Sequence, residues 1–237
     1  MGAETSFSFS DPSVGLHCFG RGGEPCVVLT AGNSELSDPV QLTQLDGSFH
    51  ALIPNVAAVA LGPLGAPLDF AAEGAREWLC RLRGSGPGGA ELSGFGAVRS
   101  TPAPERRSLR RSLWICFDAE LAFALDSSLN ASRGGHGDEQ VTAFVARGAP
   151  LEAARAEDPR LSSTYREDGQ LLRAGLELWE HDNETPDGPD HDRHRALRLA
   201  GETIAAASLQ DRASAAFMAW HYDGIAGIGC YVIEPMP

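Results

Sequence analysis

Residues 112–130 have the sequence SLWICFDAELAFALDSSLN, which decides the fold class predicted for the chain. The apolar run 112–117 is typical of a buried strand, and Asp118 belongs to the residue types that cap helix N-termini. The apolar residues that follow fall at helical spacing. This face consists of Leu121, Ala122, Leu125 and Leu129. A second apolar run at 141–146 predicts a returning strand, so the segment is predicted to be a βαβ-like unit.

The N-terminal part of the chain is predicted to form β-hairpins. Short β-prone runs at 14–19 and 26–31 flank the turn-forming sequence GRGGEP, which predicts one hairpin. Runs at 49–53 and 56–61 are separated by Pro54, which cannot donate to a strand ladder. We therefore expect two more strands there.

Helical periodicity is more common in the rest of the chain. Apolar residues at helical spacing predict helices at 70–83, at 169–180 and from 193 towards 222. The last apolar segment, 225–234, is apolar on both faces, which predicts a buried central strand. The predicted fold class is α/β or α+β: a mixed sheet with N-terminal β-hairpins, one βαβ-like unit, C-terminal helices and a buried last strand.

The chain of 237 residues is long enough to bury a core and is interpreted as one domain covering 1–237. Residues 84–108 are rich in Gly, Pro and Ser and are long for a plain connection inside a domain. We expect either a mobile functional loop or a boundary between two subdomains at this segment.

Composition excludes several functional classes. The net charge of −13 and the pI near 4.9 disfavour binding to nucleic acids and to anionic membranes. The five Cys are scattered and lack a C-x-x-C pair, so neither a disulfide framework nor a cysteine zinc site is indicated. With no signal-type segment and no long apolar run, the chain is predicted to be soluble and cytoplasmic, without a membrane partner.

Residues 180–194 contain three of the seven His among six carboxylates, which indicates a candidate metal site. His191 and His194 are three apart at the start of a predicted helix and would project from the same side. Imidazole and carboxylate ligands suit a divalent ion such as Zn or Mn, which could activate water in a metal-assisted hydrolase. The solvated-loop interpretation of the same residues stays open. The predicted ligands are His181, Asp182, Asp187, His191 and His194.

Two smaller groups of residues also suggest functions. His221 and Asp223 lie where a predicted helix ends and could form a catalytic general base, although a His there also suits the helix dipole. Four arginines within six positions could bind a phosphate-bearing small molecule, or could simply be solvated. They are Arg106, Arg107, Arg110 and Arg111.

The alternative to an enzyme is a non-enzymatic interaction module. In that hypothesis the acidic face engages a basic protein partner by charge complementarity. This hypothesis needs no ordered site, whereas the enzyme hypothesis requires the acidic segment to be ordered and concave.

Overall fold

The fold is taken from a computed structural model, which describes residues 4–31, 33–70, 74–102, 109–129, 139–181, 194–209 and 213–235. Within these residues every regular element is a β-strand, apart from one 3₁₀ turn at Pro87–Gly89. The predicted α/β or α+β class is therefore wrong. The chain is nearly all β, with two curled antiparallel sheets that form half-barrels.

The N-terminal sheet contains ten strands, all antiparallel to their neighbours. Its order is β4-β3-β2-β1-β10-β9-β7-β6-β5, and β8 also pairs with β9. The strands are β1 (Glu4–Asp11), β2 (Leu16–Arg21), β3 (Pro25–Thr30), β4 (Asn33–Pro39), β5 (Gln41–Leu45), β6 (Ser48–Ile53), β7 (Ala57–Pro63), β8 (Leu68–Phe70), β9 (Ala75–Ser85) and β10 (Glu91–Thr101).

The C-terminal sheet contains nine antiparallel strands in the order β14-β13-β12-β11-β19-β18-β17-β16-β15. The strands are β11 (Leu109–Cys116), β12 (Leu121–Leu129), β13 (Glu139–Arg147), β14 (Glu152–Arg155), β15 (Glu157–Tyr165), β16 (Leu171–His181), β17 (His194–Leu209), β18 (Ala213–Tyr222) and β19 (Ile225–Pro235). The N-terminal sheet thus ends at Thr101 and the C-terminal sheet begins at Leu109. The subdomain boundary expected in 84–108 stays a prediction.

The two sheets create three apolar cores. Each sheet curls around an inner core, which contains Phe7 and Phe9 in the N-terminal sheet and Phe123 and Trp220 in the C-terminal sheet. A third core lies between the sheets and takes side chains from both. Strands in contact with two cores are buried on both faces, and this hides the two-residue period that a half-exposed strand would show.

The predicted βαβ unit is instead a β-hairpin. β11 and β12 pair directly and antiparallel. Asp118 does accept backbone hydrogen bonds, from the N–H groups of Glu120 and Leu121 at 2.7 and 2.8 Å. Asp118 therefore caps a tight turn rather than a helix. An Asp side chain can accept hydrogen bonds from the free backbone N–H groups of a turn as well as from those at a helix N-terminus.

The predicted C-terminal helices are also strands, and β16 shows one physical reason. Leu171 and Ala174 both contact the inner core of the C-terminal sheet, although they are three residues apart. In the pairing with β15, Tyr165 lies opposite Leu171 and Thr164 opposite Arg173, so Leu172 is an extra residue. A bulge of this kind gives strand residues a helix-like spacing.

Several strand predictions are confirmed. β2 and β3 form the expected hairpin, and β6 and β7 flank the predicted break. The last segment is β19, which lies between β11 and β18 as a central strand. The N-terminal hairpins and the buried last strand are therefore correct, while every predicted helix in the described residues is wrong.

Candidate functional site

Two adjoining cavities share Arg21 and Glu24, and we call the pair the Arg21 cleft. The apolar cavity, of about 250 Å³, is formed by both sheets. Its apolar walls are Phe19, Pro25 and Leu36 from the N-terminal sheet with Leu209 and Ala213 from the C-terminal sheet. The polar cavity, of about 420 Å³, belongs to the N-terminal sheet and includes Glu4, Thr5, Thr43 and Gln44. An apolar pocket with a few convergent polar groups is typical of small-molecule sites.

Local sequence fixes the turn that carries both shared residues. Arg21 ends β2, and the next residues make backbone hydrogen bonds to two other segments. Gly22 N–H donates to the Thr5 carbonyl at 3.0 Å, and Gly23 N–H donates to the Val40 carbonyl at 2.9 Å. Gly23 has a φ of 82°, a conformation that glycine adopts without strain. The turn is thus held in place and presents Arg21 and Glu24 rigidly.

Arg21 connects the cleft to the contact between the sheets. Its Nη2 donates to Glu234 Oε1 of β19 at 3.0 Å, and its Nη1 lies 3.3 Å from Glu4 Oε2. Burial alone would lower the pKa of Arg21, but the hydrogen bond and charge of Glu234, together with the charges of Glu4 and Glu24, raise it. The guanidinium therefore stays charged and is already surrounded by carboxylates.

Behind Glu234 lies a buried ion network that joins the two sheets. Arg99 of β10 places Nη1 at 3.1 Å from Glu77 Oε2 and Nη2 at 2.7 Å from Asp126 Oδ1 of β12. Arg110 of β11 donates through Nε to the same Asp126 oxygen at 3.1 Å. These four side chains are at most 7% exposed. Burial raises the pKa of Glu77, although the charge of Arg99 opposes this.

A buried His17 lies on the same intersheet face. Its Nδ1 is 2.7 Å from Ser10 Oγ, and its ring stacks on Phe217 of the other sheet with 5.1 Å between centroids. Burial lowers the pKa of His17 to about 4, although the charge of Asp11 acts in the opposite direction. His17 is thus neutral at physiological pH. The stacked rings of His17 and Phe217 join the two sheets, and neither residue lines the Arg21 cleft.

The predicted metal ligands fall at the connection between two paired strands. Backbone pairing places His181 of β16 opposite His194 of β17. Asp182, Asp187 and His191 lie outside the described residues. Among the residues that the structure does describe, no group of three or more His, Cys, Asp or Glu could hold a metal ion. The metal site stays a prediction.

His221 and Asp223 lie at the tip of the β18–β19 hairpin and are exposed. Asp223 and Gly224 have φ values of 49° and 79° and form the whole two-residue connection. Asp-Gly is a preferred sequence for such a turn. This gives Asp223 a structural role, and the catalytic role of the pair stays a prediction.

The arginine cluster is divided by the fold. Arg106 and Arg107 lie outside the described residues. Arg110 belongs to the buried network, and Arg111 Nη1 lies 3.5 Å from Glu139 Oε1. Both described arginines thus already have carboxylate partners, which compete with a phosphate.

Sequence reasoning missed the residues of the Arg21 cleft. It assigned the sequence GRGGEP only to a turn, although no other positive charge occurs before Arg76. An isolated Arg near a Glu in a glycine turn was the available signal. Leu36, Leu209 and Ala213 carried no such signal, because only the fold brings these three residues together.

Known structures share this architecture. Kievitone hydratase from Nectria haematococca is similar with a TM-score of 0.58 and 9% identity, covering 99% of this chain and 88% of that chain. CghA with Sch210972 has a TM-score of 0.55 at 10% identity, covering 99% and 89%. A further CghA structure has a TM-score of 0.54 at 11% identity, covering 99% and 88%. No family model and no curated protein matches the chain. At such identities the likeness establishes the fold alone.

No helix in the described part of the chain is long and apolar enough to cross a membrane. The cytoplasmic location stays a prediction.

Proposed function

We propose that the protein is an enzyme that binds an apolar, unsaturated small molecule in the Arg21 cleft and adds water to it or closes a ring. The observation that carries this proposal is the joint wall of the apolar cavity. Leu36 of one sheet and Leu209 of the other face a space that also contains a charged pair, Arg21 and Glu24. The hydratase among the structural neighbours supports the reaction class by analogy.

The charged residues of the cleft suit this chemistry. Addition of water to a carbon–carbon double bond, and ring closure that begins with the same proton transfer, need a group that moves a proton and a group that stabilises the positive charge developing on carbon. Glu24 is the carboxylate shared by both cavities and takes the first role. Glu4, held by Arg21, takes the second. Neither role requires the acidic segment 180–194.

The test uses two leucines of matched exposure. Leu36 on β4 is 49% exposed and lines the apolar cavity, whereas Leu52 on β6 is 47% exposed and does not. The wild type, Leu36→Glu and Leu52→Glu are incubated with unsaturated apolar compounds, kievitone included, in ¹⁸O-labelled water. Mass spectrometry detects products that gain one labelled water, and chromatography detects isomers formed by ring closure.

We expect product from the wild type and from Leu52→Glu, and about a tenfold lower rate from Leu36→Glu, because a carboxylate on the cavity wall loses hydration when an apolar ligand covers it, at a cost of about 1.4 kcal/mol. Equal rates from the two variants would place the chemistry elsewhere. If no compound in the panel is converted and none binds saturably, the protein is not this kind of enzyme, and the acidic interaction module becomes the better explanation.

A further inference from the structure

The Arg21 cleft carries more negative than positive charge. Arg21 is the one basic residue among those that line its two described cavities, whereas Glu4 and Glu24 line them directly. Glu234, which hydrogen-bonds to Arg21, adds a third carboxylate. Among the described residues, the charges at the cleft therefore amount to one positive against three negative.

The buried network does not correct this excess. Its arginines, Arg99 and Arg110, are accompanied by the carboxylates of Glu77 and Asp126. Arg110 Nη1 reaches Glu234 Oε2 only at 4.0 Å. In the described part of the chain the network holds two positive and two negative charges, so it does not offset the surplus at the cleft.

This balance determines which ligands the cleft can accept. An anionic ligand would need Arg21 to leave carboxylates that it already binds, and would then meet the remaining acids at close range. A cation in the polar cavity would instead be attracted by Glu4. Thr5, Thr43 and Gln44 line the same cavity and carry neutral oxygen acceptors. The apolar cavity next to it has room for a hydrocarbon body.

We infer that the ligand of the Arg21 cleft is an apolar molecule bearing a protonated amine, with the amine in the polar cavity near Glu4 and the apolar body between Leu36 and Leu209. The inference rests on the proposed function for the location of the site. It adds the charge class of the substrate, which that proposal leaves open.

The experiment compares three probes with one ring system. Binding of 1-naphthylmethylamine, 1-naphthylmethanol and 1-naphthoic acid to the full chain is measured by calorimetry at pH 7 in about 10 mM salt. We expect the amine to bind about threefold to tenfold more tightly than the alcohol, and the acid most weakly, since partly exposed charges a few ångströms apart interact only weakly in water. Raising the salt to about 1 M should remove most of the difference, because the screening length falls to about 3 Å.

Glu4→Gln removes one carboxylate of the polar cavity, and Glu91→Gln makes the same charge change at an exposed site on β10 that lines neither cavity. We expect Glu4→Gln to lower the preference for the amine about threefold and Glu91→Gln to leave it unchanged. An equal effect of both variants would mean that only the overall charge acts, and the inference would be wrong.

The outcomes separate this inference from the proposed function. If the acid or the alcohol binds best while turnover still depends on Leu36, the charge class is wrong and the enzyme proposal stands. If the amine binds best and Glu4→Gln weakens this binding, but no compound is converted, the inference stands and the enzyme proposal fails. If none of the three probes binds, the cleft is not a ligand site and the inference is overturned.

Discussion

The interior within each sheet differs from the interior between the sheets. The inner core of the C-terminal sheet contains large apolar side chains such as Phe123, Met218 and Trp220. The intersheet core receives alanines from that same sheet beside large side chains such as Trp114 and Phe217. Buried charges and the buried His17 also lie on the faces that the two sheets turn towards each other. The alanines let the two sheets approach closely where they lie. Specific polar contacts then determine how the two sheets fit together.

Removing a charge from the intersheet network should produce the largest effect. Arg99→Met removes the arginine that pairs with Glu77 and also breaks the contact of Arg99 with Asp126. We expect unfolding in urea to show a loss of about 3–5 kcal/mol, the usual cost of breaking a buried ion pair from one side.

The control is Arg76→Met, because Arg76 pairs with Asp69 at 3.0 Å but both side chains are more than 60% exposed. Its cost should be about 0–1 kcal/mol. Equal costs for the two variants would show that the buried network does not hold the sheets together.

The neutral His17 predicts a pH dependence that belongs to the intersheet region. The pKa of His17 is about 4 in the fold against 6.5 when exposed, so below 6.5 the unfolded chain binds a proton that the folded chain does not. Stability is therefore full above pH 6.5 and is lost as the pH falls to about 4, by about 3 kcal/mol.

Comparison with His17→Asn isolates this contribution, because the amide does not titrate in the range. Urea unfolding at several pH values should give a steeper decline for the wild type than for the variant between pH 6.5 and 4. Parallel curves would mean that protonation of His17 does not lower the free energy of unfolding. Burial would then not lower the pKa of His17 in the folded chain.

These two interiors also explain what the sequence could predict. Strands that border one core, or that carry a clear turn, were recognisable: β2, β3, β6 and β7 were predicted from turn residues and apolar runs. β12 was not, since Phe123 and Leu125 face the inner core while Ala122 and Ala124 face the other sheet. An apolar run without alternation can then match a helical period by chance.

Bulges hid further strands. In β17, Leu197 and Leu199 face the inner core, but beyond the irregularity between Thr203 and Ala205 it is Ala206 that does so. The positions that face the inner core change from odd to even residue numbers at the bulge, so no two-residue period extends along the whole strand.

The Asp-Gly pairs at 46–47 and 223–224 were hairpin signals that the prediction did not use. Each forms a two-residue connection with positive φ at both positions. The Arg21 cleft could not have been predicted in the same way, because its two walls come from residues almost 200 positions apart in the chain.

The smallest effect tests the close approach of the sheets. Ala124 is fully buried on the intersheet face of β12, whereas Ala153 is exposed on the edge strand β14. Ala124→Leu should cost about 1–3 kcal/mol because added methyl groups must push the sheets apart, and Ala153→Leu should change the free energy of unfolding by no more than about 0.5 kcal/mol. If Ala124→Leu were as well tolerated as Ala153→Leu, the alanines would not set the spacing. The distinction between the two interiors would then rest on the polar contacts alone.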